Sequence, residues 1–429
     1  LGRRLFGSVC VVAVGVVAYA AIAWQPAIAP IEPPAPQSFA ADLVARGKML
    51  AGAGNCATCH TATAGAYAGG LAIPTPFGTI HSTNITPDRE TGIGGWSIAA
   101  FARAMREGVS RDGRHLFPAF PYDHFAKLTD EDVAALYAYL MTLPPVQART
   151  PPNTVPFPLD IRALQAGWKM IYFKPQPFMP DPARSAEWNR GAYLAEGLAH
   201  CGACHTPRNI LGAESVGHPY NGAAVENGWY ALPLDVTFSP LPWTAGELAT
   251  YLGGGTTPHG RAFGPMGPVI HGLAALPPSD IQAIATYFGQ SMRPFARSET
   301  LVAETRERWR QAPVAIGDRG RRLYYAACAS CHDGGSSAPL ATRMELSLSS
   351  ALWHPWPNNF ALAVLHGIGK PSDAPGPIMP AFRNALGDAE IMDIADYLRR
   401  ERLRQPAWPR SLYTVDRLRD MPDTGPTPH

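Results

Sequence analysis

Charge is scarce in this 429-residue chain: 16% of its residues are charged and the net charge is +2. Such a chain offers no basic field to a phosphate backbone, which removes nucleic acid from the candidate partners. Cysteine is scarcer still, with seven in all. Six of them fall in three close pairs and leave Cys10 alone, so once the pairs are committed no disulfide framework can be built. No pair has a second pair of sulfur ligands spaced to complete a zinc site. Proline and glycine are plentiful instead, 44 and 41 residues, so much of the chain is expected in turns and irregular loops.

What the cysteines do form is one pattern three times over. Cys56-Ala57-Thr58-Cys59-His60, Cys201-Gly202-Ala203-Cys204-His205 and Cys328-Ala329-Ser330-Cys331-His332 all read C-x-x-C-H. This is the attachment signal of a c-type haem. Two thiols on one short turn can each form a thioether to a haem vinyl group, and the adjacent imidazole reaches the iron as proximal ligand. An Arg-Gly pair precedes each signal at a matched distance: Arg46-Gly47 by ten residues, Arg190-Gly191 by eleven and Arg319-Gly320 by nine. The chain therefore reads as an internal repeat of three related haem domains in series, small folds whose core is largely the porphyrin.

C-type haem is attached on the oxidising, extracytoplasmic side of a membrane, so the chain must be exported. Arg3 and Arg4 precede an uncharged run from Leu5 to Trp24, about the 20 residues that a membrane-spanning helix needs. Residues 1–25 are accordingly expected to stay as a transmembrane anchor rather than be cleaved near Ala27-Ile28-Ala29. A proline-rich tether, 26–39, follows. The three cytochrome domains are expected at 40–158, 186–293 and 316–402, with linkers at 159–185 and 294–315 and a C-terminal arm at 403–429. Helices are expected over Ala40–Leu50, Trp96–Arg106, Thr129–Met141, Thr244–Leu252, Ser279–Phe288 and Asp388–Arg400. Thr129 or Asp130 supplies a cap to the third of these. The segment around Trp168 to Phe173 reads as packing between domains.

A haem that only moves electrons usually keeps both axial positions filled. In small c-type domains the second ligand is commonly a methionine in a loop before the last helix. Met266, in Gly264-Pro265-Met266-Gly267-Pro268, lies 61 residues beyond His205, and Met379, in Ile378-Met379-Pro380-Ala381-Phe382, lies 47 beyond His332. The first domain lacks its methionine: Phe120 sits 60 residues beyond His60 and cannot ligate iron. Either another side chain fills that position or it is open. His124 in the same loop is the first choice, with His115, His81 and Met105 behind it and Lys127 disfavoured by its proton. Trp96 and Arg208 read equally as haem-propionate partners and as ordinary core and surface residues.

Several phrases carry a family likeness: Gly69-Gly70 through Ile80, Ser82-Thr83-Asn84-Ile85-Thr86-Pro87-Asp88, Arg190-Gly191-Ala192-Tyr193-Leu194, His200 to Arg208, Phe263-Gly264-Pro265-Met266 and Met379-Pro380-Ala381-Phe382. Over residues 40 to about 400 the chain resembles the three-haem cytochrome c subunit of bacterial membrane-bound periplasmic dehydrogenases. The resemblance implies a mainly α fold of three tandem class I cytochrome c domains with an N-terminal transmembrane helix. It implies three covalent haems c, held by Cys56, Cys59, Cys201, Cys204, Cys328 and Cys331, with His60, His205, His332, Met266 and Met379 toward iron; at the first haem, where the chain departs from the family, His124 stays the first choice from the residues themselves. It also implies an electron relay from a separate catalytic dehydrogenase subunit to ubiquinone, on the periplasmic face of the inner membrane and in contact with lipid. Phe120, the compact third loop and the retained anchor tilt the likeness toward a molybdopterin aldehyde dehydrogenase complex with an iron-sulfur small subunit. Relatives serving pyrroloquinoline-quinone alcohol dehydrogenases or flavin-dependent sugar and gluconate dehydrogenases are the alternative, as is a free-standing carrier to a terminal oxidase.

Overall fold

The computed structural model describes residues 2–234, 243–291, 298–311, 318–333, 345–369, 379–409 and 415–421, with side chains of the first helix described from Ala13 onward. It is mainly α-helical, and the described strands form three two-stranded antiparallel hairpins. The chain divides into two compact units.

The first unit comprises residues 1–182 with 193–200 and 209–213. Its helices are α1 (Gly2–Ala23), α2 (Ala41–Ala53), α3 (Cys56–His60), α4 (Ile98–Glu107), α5 (Tyr122–Phe125), α6 (Asp130–Met141) and α7 (Leu164–Tyr172). Hairpin β1 (Ala72–Thr75) and β2 (Gly78–His81) pairs Ala72 with His81. Helix α6 starts where its cap dictates, the Thr129 hydroxyl accepting from the Asp132 amide at 3.2 Å, and three acidic residues favour the helix N-terminus. Its apolar face, Val133, Leu136, Leu140 and Met141, is buried. It crosses α2 at Gly47, where a Cβ would lie 1.9 Å from the Ala135 carbonyl oxygen. Arg46 reaches over the crossing to buried Asp132, with Nη2 at 2.6 Å.

Among the described residues no helix is long and apolar enough to cross a membrane. This overturns the expected transmembrane helix and, with it, anchoring in the inner membrane by such a span. The side chains of α1 are described from Ala13 to Ala23. That stretch instead makes polar contacts: the Tyr19 hydroxyl donates to the Ala163 carbonyl at 2.7 Å and accepts from the Gly167 amide at 3.2 Å. The proline-rich segment that follows is extended as expected, but it is laid along the unit. The Ile28 amide donates to the Arg111 carbonyl, the Ile31 amide to Gly95, and Arg103 to the Pro26 carbonyl.

The second unit comprises 183–192, 201–208 and 214–429. Its elements begin with α8 (Ala186–Tyr193), α9 (Gly202–His205), hairpin β3 (Ala223–Ala224) and β4 (Tyr230–Ala231), α10 (Ala245–Gly254) and hairpin β5 (Thr256–Thr257) and β6 (Gly260–Arg261). They continue with α11 (Met266–Leu273), α12 (Pro278–Ser291), α13 (Ser298–Arg310), α14 (Arg319–Ala327), α15 (Ala329–His332), α16 (Ser350–Trp353), α17 (Asn358–His366), α18 (Asp388–Tyr397) and α19 (Val415–Arg419). The α2–α6 crossing recurs twice. A Cβ on Gly191 would lie 1.9 Å from the Ala283 carbonyl oxygen on α12, and one on Gly320 would lie 1.9 Å from that of Asp393 on α18. Arg190 pairs with Asp280 at 2.7 Å, and Arg319 with Glu390 and Asp393 at 3.2 Å.

The expected helices are present, shifted by a residue or a few at their ends. The last shortens because α18 gives way at Leu398 to a π-helical turn running to Arg402. The linker expected at 294–315 is helical over Ser298–Arg310; its residues 294–297 and 312–315, Ile378 beside Met379, and 410–414 and 422–429 of the C-terminal arm lie outside the described residues.

Candidate haem sites

Each C-x-x-C-H signal folds into a short helical turn, so its two sulfurs, three residues apart, share one face. The His205 amide donates to the Cys201 carbonyl and the His332 amide to the Cys328 carbonyl, both at 3.0 Å, so these two turns close by the same hydrogen bond. All six cysteines are thiols outside any disulfide, the first of each pair half-buried and the second exposed. Burial, then the charge of the partner thiol, pushes Cys56 and Cys201 up to about 12 and Cys328 up to about 11. Raised in this way, these three groups stay protonated as thiols rather than ionising to thiolates.

The histidines show the orientation that a proximal ligand needs. His60 Nδ1 lies 2.6 Å from the Thr83 carbonyl oxygen and His205 Nδ1 lies 2.5 Å from that of Leu232. A carbonyl can only accept, so the proton sits on Nδ1 and the lone pair on Nε2, the tautomer of an iron-bound imidazole. Burial pushes both imidazoles below their ordinary range, which keeps them neutral. The residues present thus fit a c-type haem at the first two turns. At the third, residues 334–344 beyond Asp333 lie outside the described residues.

The residue after each histidine fastens the turn. The Thr61 hydroxyl accepts from the Tyr67 amide at 3.2 Å and the Thr206 hydroxyl from the Tyr220 amide at 3.1 Å. At the third turn Asp333 takes this place, accepting from the Tyr324 hydroxyl at 2.9 Å, from Trp309 Nε1 at 3.2 Å and from Arg402 Nη2 at 2.5 Å. Arg208 donates to the Ala203 carbonyl inside the second turn at 3.0 Å, and the Trp96 carbonyl accepts from the Tyr137 hydroxyl.

Of the sixth-ligand candidates, Met266 opens α11 and is half-buried. Met379 is bridged to Ile368 by two backbone hydrogen bonds, and its side chain packs against the core of Tyr324, Leu352, Leu365 and Ile391. Near the first turn, Phe120 packs on Phe125 with ring centroids 5.4 Å apart. His124 is buried, its Nδ1 2.7 Å from the Glu196 carbonyl oxygen, and it meets His200 edge to face. His115 has both ring nitrogens engaged, Nε2 with the Ala23 carbonyl and Nδ1 with Lys169 Nζ, which removes it as a ligand. Met105 is buried on α4, His81 stands in β2, and Lys127 Nζ points to the Glu196 carbonyl. Sequence reasoning did not find Thr83 and Leu232, because they act through backbone carbonyls that no side chain advertises.

Comparison with known proteins agrees with this geometry. The family described as "Cytochrome c" matches residues 44–144, so at least one haem c is implied, and "Cytochrome C oxidase, cbb3-type, subunit III" matches 315–398. The fructose dehydrogenase cytochrome subunit of Gluconobacter japonicus is 38% identical, covering 85% of this chain and 80% of that one. The gluconate 2-dehydrogenase cytochrome c subunit of Pantoea cypripedii is 38% identical, covering 83% and 85%. A nicotinate dehydrogenase subunit of Pseudomonas putida is 46% identical over 90% of this chain, which spans only 33% of that longer relative. The chain is an electron-transfer subunit and not the catalytic one; it belongs to the family of dehydrogenase cytochrome c subunits.

Proposed function

We propose that this chain holds three c-type haems and relays electrons from a catalytic dehydrogenase subunit to ubiquinone. The observation that carries the reading is the shared orientation of His60 and His205, each with Nδ1–H given to a backbone carbonyl and Nε2 left as the ligand atom. The haems would supply one-electron ferric–ferrous chemistry when bound. Cys56 and Cys59, Cys201 and Cys204, and Cys328 and Cys331 would anchor them. His60, His205 and His332 would be proximal ligands, and Met266 and Met379 distal ones. For the first site we assign His124, whose Nδ1–H is held by Glu196 and whose lone pair therefore lies on Nε2.

The expectation of an aldehyde-oxidising molybdenum partner with an iron-sulfur subunit gives way here. The names of several relatives, dehydrogenases of fructose, gluconate and alcohol, support the alternative of a sugar, sugar-acid or alcohol dehydrogenase as electron donor; the nicotinate dehydrogenase relative names a substrate outside both readings. The test is purification of the chain with its partners, followed by a haem count and by quinone reduction on each substrate class. Three haems per chain and quinone reduction driven by a sugar, sugar acid or alcohol support the reading. Fewer than three haems, or molybdenum with aldehyde as sole substrate, would overturn the corresponding part.

A further inference from the structure

The hairpin that orients His205 is gripped from elsewhere in the second unit. Strand β4 ends one residue before Leu232, whose carbonyl accepts from His205 Nδ1, and β3 follows directly on Gly222, whose amide donates to the His205 carbonyl at 2.8 Å. The hairpin therefore holds the imidazole and its backbone together. At β4 it meets the start of α17. Asn359 Oδ1 accepts from the Tyr230 amide at 2.9 Å and its Nδ2 donates to the Tyr230 carbonyl at 2.8 Å, as a neighbouring strand would do. Asn358 Nδ2 adds a bond to the Gly228 carbonyl at 2.8 Å. Asn359 is buried, and no other side chain type of its length offers a donor and an acceptor at once.

We propose that Asn359 is a positioning residue for the second haem, acting through Tyr230 and Leu232 on the proximal histidine. This rests on the reading of His205 as an iron ligand. The Nδ1–H bond to a carbonyl makes the imidazole a stronger donor, which stabilises ferric iron and lowers the potential. The strength of that bond depends on where the Leu232 carbonyl is held. Two residues upstream, both backbone groups of Tyr230 are fixed by one amide carried on a helix that also bears Leu362 and Leu365 of the Tyr324 and Ile391 core. The third haem region thus sets part of the electronic environment of the second. At the first site the Thr83 carbonyl is steadied locally: Asn84, the next residue, donates to Thr91 and to the Val146 carbonyl.

The experiment is spectroelectrochemical titration of the full chain carrying Asn359→Ala or Asn359→Asp, with the second haem identified by its loss in Cys201→Ala/Cys204→Ala. In Asn359→Ala the midpoint of the second haem rises and the other two stay. Asn359→Asp keeps the acceptor for the Tyr230 amide and loses the donor, so its rise is smaller. Unchanged potentials with a lowered melting temperature would mean that Asn359 only docks helix to hairpin and would overturn the proposal, as would three midpoints moving together. If Asn359→Ala does not fold, hydrogen exchange in the native chain decides: the His205 Nδ1–H should be protected along with the Tyr230 amide, and rapid exchange of the former alone overturns it. A haem count below three in the native chain, by contrast, counts against the haem reading itself.

Discussion

Gly47 faces the carbonyl oxygen of Ala135 so closely that a single methyl group would lie 1.9 Å from it. Gly191 and Ala283, and Gly320 and Asp393, repeat the relationship, each time with a tyrosine Cβ as a further near neighbour. Helix approaches this tight require hydrogen in place of a side chain, because backbone cannot yield as a flexible side chain can. Gly47→Ala should therefore cost at least the 1–3 kcal/mol typical of overpacking, about one such increment for one added carbon. Chemical denaturation should show the loss, and the cost should fall on the unit that holds α2 and α6.

Asp333 and Arg402 make a nearly buried pair on the aromatic shelf of Trp309, whose ring centroid lies 4.5 Å from the guanidinium. Removing one member strands the other's charge, which typically costs about 3–5 kcal/mol, whereas removing both is much milder. We expect Arg402→Met and Asp333→Asn each to destabilise the region around α14 and α18, and the double variant to recover part of the loss. A double-mutant cycle from urea melts measures the coupling. Strictly additive losses would refute it.

His354 is buried and pushed down to about 4, first by desolvation and also by the charge of Arg399, while its Nδ1 accepts from the Trp356 amide. The Tyr230 ring packs on it, and the Trp408 indole and Arg399 donate to its carbonyl. The folded chain therefore refuses a proton that the unfolded chain accepts once pH falls below 6.5. Stability from this group is complete above that pH and is lost between about 6.5 and about 4, by roughly 3 kcal/mol at the lower end. His354→Asn, which keeps an acceptor for the Trp356 amide, should flatten the pH dependence of the denaturation midpoint across that window.

How much of this was legible in the sequence differs from residue to residue. The Arg-Gly pairs announced three repeats because a close helix crossing needs both the glycine and a cation able to reach an acid on the other helix, and those are side-chain facts. The Cys and His triplets were legible for the same reason. What fixes His60 and His205, however, is a carbonyl brought in by a hairpin or loop, and any residue type can supply one. Asn359 lay hidden because it serves a turn more than 150 positions earlier in the chain. The N-terminal run misled in the other direction: apolar composition alone does not show that Tyr19 spends its hydroxyl on Ala163 and Gly167.

The first site offers the sharpest mutational test. Phe120, where a methionine was expected, packs on Phe125, and His124 is buried four residues on with its tautomer fixed by Glu196. If His124 supplies the sixth ligand, the reduced native chain binds no carbon monoxide, since all three irons are closed by protein. His124→Ala should then admit carbon monoxide at one haem of three, seen as a Soret shift of about a third of the haem absorbance. Phe120→Met combined with His124→Ala should close the site again and raise its potential, because a thioether donates less strongly than imidazole and favours ferrous iron. Carbon monoxide binding by the native chain would show instead that the first haem is open and His124 structural.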